Sequence, residues 1–136
     1  MSLGEVEQIA KDLNIQNFRG VFMRELLPEK PFDHECGIIN LGDLDSNGSH
    51  WTCYIKDGPK KLYFDSFGNA QPPKELIDYF GGDNLFYNID RIQDFNDPPI
   101  CGHLCLEVLR RHTENESWKN IIRTLTNNKM IWQTWF

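Results

Sequence analysis

The chain has no long apolar run: its purely apolar stretches span only a few residues, far short of a bilayer crossing. Its N-terminus also lacks the charged-then-apolar order of a secretory leader, so an intracellular protein with no membrane role is expected. Positive charge is scarce. Fourteen Lys and Arg stand against 20 Asp and Glu, a formal net charge of -6, and no lysine-rich stripe runs along any segment, which argues against a nucleic-acid partner. Cys36, Cys53, Cys101 and Cys105 form neither a CxxC pair nor the even framework of a small secreted scaffold, so reduced thiols are expected. Internal repeats, linkers and low-complexity stretches are missing as well. What is present is globular: 136 residues, 40% hydrophobic, 12% aromatic and 25% charged, enough to build a core within a single domain over 1–136. The opening Met1-Ser2-Leu3 carries no structural weight in this reading.

Helices and strands alternate along the chain. Val6, Ile9, Ala10 and Leu13 recur at helical spacing between Gly4 and Asn14. From Phe18 to Leu27 no period is clear, and Pro28 and Pro31 then mark a turn. Three β-rich runs follow, Cys36–Leu41, His50–Ile55 and Lys61–Phe67, separated by Asp45-Ser-Asn-Gly-Ser49 and Asp57-Gly-Pro59, and they predict an antiparallel meander. Pro72-Pro73 opens a helix bearing Leu76, Ile77 and Phe80 that Gly81-Gly82 stops, and Leu85–Ile89 reads as a strand. After Pro98-Pro99, Cys101, Leu104, Cys105, Val108 and Leu109 make Ile100–His112 a helix apolar over a wide arc, hence a central one. A last helix from about Asn115 buries Trp118, Ile121, Ile122 and Leu125, and the apolar ending Ile131–Phe136 reads as a docking tail or a cut polyprotein end. The expected fold is α+β, a mostly antiparallel sheet of four or five strands packed on the helix that carries Cys101.

Cys101 is the sharpest chemical feature. A helix N-terminus offers unpaired N–H groups and positive potential, which lower a thiol's pKa and favour the thiolate. Most free cysteines are small buried hydrophobes, and the neighbours decide between the two readings. A thiolate nucleophile needs a base, a group to orient that base, and donors for the oxyanion. His50 opens one strand and Asp65 closes the next, so pairing through the Asp57-Gly-Pro59 turn brings them together. Gln93, on an irregular segment leading into the Cys101 helix, has a side-chain amide suited to the oxyanion. Trp51 is either plain core or a lid over the substrate backbone, and its place beside His50 favours the lid. His34, Cys36, Cys53, His103, Cys105 and His112 have the chemistry of zinc ligands but not the knuckle spacing, so no metal is assigned. Cys105 shares a helical face with Cys101 and is either a resolving thiol or packing, and it stays outside the candidate site.

Taken in order, His50-Trp51, Phe64-Asp-Ser-Phe-Gly68, Gln93 and Cys101-Gly-His-Leu-Cys105 resemble the adenovirus protease (adenain-like) family of cysteine proteases, which includes SUMO-specific proteases. The order His, acid, Gln, Cys puts His before Cys, the reverse of papain's Cys before His. The likeness runs from about Phe18 to Leu109 and includes Phe18-Arg-Gly-Val-Phe22, Cys36-Gly-Ile-Ile-Asn40 and Gly48-Ser-His-Trp51. Asp65 stands where adenovirus enzymes carry Glu, as in SUMO-specific proteases. No cysteine lies between Phe67 and Gln93 to tether an activating peptide, and the acidic chain does not suit a DNA activator, so no cofactor is carried over. The resemblance implies a monomeric thiol endopeptidase with His50, Asp65, Gln93 and Cys101 as catalytic residues. It also implies cleavage after small residues, glycine above all, in viral or transposon structural polyproteins. Two alternatives stand beside it: a SUMO- or ubiquitin-type deconjugating isopeptidase, and a binding module that keeps the fold without turnover.

Overall fold

The structure, a computed structural model, describes residues 1–42, 50–82, 84–93 and 100–127. The expected Asp45–Ser49 turn, the Pro98-Pro99 pair and the tail to Phe136 lie outside the described residues. Helix α1 (Leu3–Asp12) starts at a capping box, in which the Ser2 hydroxyl accepts from the Glu5 N–H while the Glu5 carboxylate accepts from the Ser2 N–H. Strand β1 (Phe18–Met23) runs into a 3₁₀ turn (Arg24–Leu26), followed by β2 (His34–Asn40), β3 (Trp51–Asp57) and β4 (Lys60–Phe64). Helix α2 (Lys74–Tyr79), the two-residue β5 (Phe86–Tyr87), α3 (Cys101–Thr113) and α4 (Trp118–Asn127) complete the order. No helix among the described residues is long and apolar enough to cross a membrane.

The five strands line up in sequence order, β1-β2-β3-β4-β5. β2 to β4 form the expected antiparallel meander, but β1 is parallel to β2 and β5 parallel to β4, so the α+β sheet is mixed rather than mostly antiparallel. Neither parallel pairing shows in the local pattern. Every residue of β1 is half-buried, so its sequence carries no alternation to read. β5 is cut short because the next residue, Asn88, commits its side chain to the Asp65 backbone.

Alternation sorts the central strands. Cys36, Ile38, Trp51, Cys53, Ile55, Leu62 and Phe64 face α3, and with Leu104, Cys105, Leu106, Val108 and Leu109 of that helix they form the main core. Val6 and Ala10 of α1 and Ile121, Ile122 and Leu125 of α4 close the same cluster. The other face carries Ile39, Tyr54 and Tyr63, covered by Leu76 and Phe80 around α2. With both faces covered, the strands read as near-continuous apolar runs.

That second face holds a buried charge. Glu35, 2% exposed, accepts from Arg19 Nη1 at 3.0 Å, from the Phe32 N–H at 2.6 Å, and from the hydroxyls of Tyr54 at 2.6 Å and Tyr79 at 2.9 Å. A buried carboxylate so fully partnered offsets much of its desolvation cost, whereas removing one partner exposes it. Tyr54 reaches Glu35 by lying over Gly37, its cross-strand partner, where a Cβ would come within 2.7 Å of the phenol ring. The hydroxyl's bond to Glu35 keeps the ring from swinging away. Gly37→Ala is therefore expected to lower stability by about 1–3 kcal/mol through overpacking. A thermal melt checks it, and an unchanged midpoint would mean that the ring has room to move.

Candidate active site

His50 sits immediately before β3, and Asp65 immediately after β4. The pairing ends at Cys53 with Phe64, and one more step in that register would set Asp65 opposite Thr52. His50 thus reaches Asp65 on the diagonal, not directly across. The contact is tight: His50 Nε2 lies 2.8 Å from Asp65 Oδ1. The ring of Phe67 stacks against the imidazole, with centroids 4.8 Å apart and planes tilted by 38°, which limits how far it can turn.

Cys101 is the first residue of α3. Its N-cap, Ile100, supplies no side-chain acceptor, and the first helical turn carries no acid, so the positive end of the helix is left to act on the thiol. Sγ accepts the Trp51 N–H at 3.4 Å and is hydrogen-bonded to His50. With Nε2 engaged by Asp65, the ring nitrogen left for Sγ is Nδ1. Burial opposes charge on both partners, yet both shift toward the ion pair. For Cys101, the hydrogen bond from His50, then the Trp51 N–H, the His50 charge and the Gly102 N–H, outweigh desolvation and hold the thiol below its ordinary value. For His50, burial is outweighed by the hydrogen bonds to Asp65 and Cys101, and the imidazole is pushed up to about 9.

The acid is fixed by its own turn and by the segment after β5. The Phe67 N–H donates to Asp65 Oδ1 at 2.9 Å, and the Asn88 carboxamide brackets the Asp65 backbone, accepting its N–H at 3.0 Å and donating to its carbonyl at 2.7 Å. Gly68 permits this approach: it has a positive φ of 72°, and a Cβ there would lie 2.6 Å from the Ile89 carbonyl oxygen. Gln93, 4% exposed, docks on the residue after Asp65. Its Oε1 accepts the Ser66 hydroxyl at 2.7 Å, and the Ser66 carbonyl accepts the N–H groups of both Gln93, at 2.9 Å, and Ile92, at 2.8 Å. The fold thus joins His50 directly to Asp65 and Cys101, and places Gln93 against Asp65's chain neighbour.

Trp51 departs from expectation. It is 3% exposed and belongs to the core cluster, with its ring edge 3.2 Å from where a Gly102 Cβ would be, so it is a floor under the first turn of α3 and not an exposed lid. Strand parity is the reason, because Trp51 points the same way as Cys53 and Ile55, toward α3. Asn88 and Ser66 were given no role by sequence reasoning. The signal for Asn88 was a carboxamide inside the apolar run Leu85–Ile89, and Ser66 stood in the Asp65–Gly68 motif without a task. The remaining thiols are plain core: Cys105 is fully buried, Cys53 Sγ lies 3.8 Å from its carbonyl oxygen, and burial pushes Cys36 and Cys105 up. No group of three or more His, Cys, Asp or Glu that could hold a metal ion occurs among the described residues.

No family model and no curated protein matches the sequence. Solved structures do match. A crystal structure of ASFV pS273R protease is 15% identical, with 95% of this chain and 63% of that chain covered and a TM-score of 0.59. A selenomethionine form of the same protease is 21% identical over 74% of this chain and 42% of that one, at 0.50. SUMO protease Ulp1, with its catalytic cysteine oxidized to a sulfinic acid, is 16% identical over 93% of this chain and 74% of that one, at 0.53. The chain has the fold of these cysteine proteases. It spans 63% and 42% of the length of the two pS273R chains, and at these identities the likeness is one of fold. Within that cysteine protease fold, the lowered thiol and raised imidazole define a pH window. Iodoacetamide is expected to alkylate Cys101 well before Cys36, Cys53 or Cys105 near neutral pH, because the thiolate forms below the ordinary thiol range while His50 keeps its proton up to about pH 9. His50→Ala removes the largest influence favouring the thiolate and slows alkylation at pH 7. Peptide mapping of the labelled protein reads both, and equal labelling of all four thiols would contradict the ion pair.

Proposed function

We propose that the chain is a cysteine endopeptidase. The observation that carries this reading is Asp65 Oδ1 at 2.8 Å from His50 Nε2, with His50 in turn paired with the Cys101 thiol at a helix N-terminus. In the proposed reaction the Cys101 thiolate attacks the scissile carbonyl, and the Gln93 amide and Cys101 N–H hold the resulting oxyanion. His50 then gives its proton to the departing amine. Water, deprotonated by His50, hydrolyses the thioester and returns the thiol, while Asp65 keeps the ring in one tautomer throughout.

The proposed substrate is a protein or polyprotein cut after a small residue, glycine first, of the viral or transposon structural kind. This preference rests on the resemblance to the adenain-like family; in a narrow site each overpacking contact of about 1–3 kcal/mol gives roughly ten- to hundredfold discrimination. A second reading, removal of a ubiquitin-like protein from its conjugate, draws on the extent of the likeness to SUMO protease Ulp1, 93% of this chain. The same catalytic groups serve both.

Cys101→Ala is expected to abolish turnover of peptide substrates. Asp65→Asn loses up to about four orders of magnitude, less if the thiolate is already formed, and Gln93→Ala loses about a hundredfold or more. A peptide library profiled by mass spectrometry should show glycine before the cut, and efficient cleavage after Arg, Leu or Phe would remove the narrow slot. Capture by a ubiquitin-like aldehyde, with no cleavage in the library, would move the assignment to the second reading.

A further inference from the structure

Gln93 can serve an oxyanion only if its amide is turned the right way. A carboxamide has one accepting and one donating end, and a Gln held with its oxygen toward a developing negative charge would oppose the reaction. Ser66 resolves this choice. It is fully buried, its hydroxyl donates to Gln93 Oε1 at 2.7 Å, and its carbonyl accepts the Gln93 N–H at 2.9 Å. A hydroxyl proton given to Oε1 fixes the oxygen on the Ser66 side and leaves Nε2 as the end that offers donors elsewhere. With the amide turned over, the hydroxyl could accept from the NH₂, but its own buried proton would lose the Oε1 acceptor.

We infer that Ser66 is the positioning residue for Gln93, setting its amide so that the N–H end serves the oxyanion. The inference rests on the proposed thiol chemistry and adds to it a residue outside the four already assigned. It also gives the Asp65-Ser66 dipeptide a divided role, since the first residue orients the base and the second orients the oxyanion donor. The two halves of the mechanism are then set by adjacent side chains.

The test uses two small probes that are indifferent to peptide sequence. p-Nitrophenyl acetate acylates Cys101 through a tetrahedral oxyanion and releases p-nitrophenolate, whereas iodoacetamide is displaced at a saturated carbon, iodide leaving, with no oxyanion formed. Ser66→Ala is expected to slow acylation of Cys101 at least tenfold while its iodoacetamide rate and pH profile stay those of the parent. In a Gln93→Ala background, Ser66→Ala should add little further loss, because the group it orients is gone. A parental acylation rate in a folded Ser66→Ala protein, or an equal loss with and without Gln93, would overturn the inference and leave the protease reading intact. A matched fall in the iodoacetamide rate would also overturn it, since Ser66 would then act on the thiolate. If Ser66→Ala does not melt cooperatively, Ser66→Cys, which keeps the volume with a weaker donor, replaces it, with labelling at Cys101 read by peptide mapping. A parent whose Cys101 reacts with both probes no faster than the other thiols would overturn the proposed function itself.

Discussion

The carbonyl of Ser66 accepts two backbone N–H groups, from Ile92 and Gln93, and the arrangement of the site depends on that seam. It docks the turn after β4 onto the segment after β5, with Asn88 clamping the same turn one residue earlier through the Asp65 backbone. β5 is only two residues long, so its ladder alone is a weak attachment. The side chains of Asn88 and Ser66 extend the pairing beyond the strand. Buried and satisfied, these bonds are worth more than their exposed equivalents, and they leave Asp65 little freedom to leave His50.

The Cys101 thiol is held by a different logic. α3 is buried along most of its length, with Leu104, Cys105, Leu106, Val108 and Leu109 inside the main core, and its position is set by apolar packing against β3. At its far end Arg110 and Arg111 meet the buried carboxylate of Glu107 at 2.6 and 2.8 Å, placing positive charge where the helix dipole is negative. Its first turn carries no acid, so among the described residues the helix bears its compensating charges at the end away from the thiol.

Much of this was legible in the residues. The meander, the central helix and the meeting of His50 with Asp65 followed from β-rich runs, a proline-glycine punctuation and a fifteen-residue spacing. What escaped was of two kinds. Parallel edge strands such as β1 leave no alternation when every residue is half-covered, and pairing between distant strands is not written in local pattern. Side chains that act on backbone, such as Asn88 on Asp65, look like any polar residue until the fold brings the segments together. The place of Trp51 beside His50 favours a lid, whereas strand parity carries its ring with Cys53 and Ile55 into the core.

The thirteen residues of α3 make a rod of about 20 Å, with the sulfur at one tip. Helices α1 and α4 pack into the same core without supplying any of the reacting groups, so they serve as struts that set the rod's inclination. A tilt of about three degrees about the far end moves the tip by about 1 Å, a misplacement of the size that can cost a hundredfold in rate. Under the proposed protease reading, precision at the sulfur is a mechanical property of the whole helical layer, and Ile121 or Leu125, packed in the core, help to aim it.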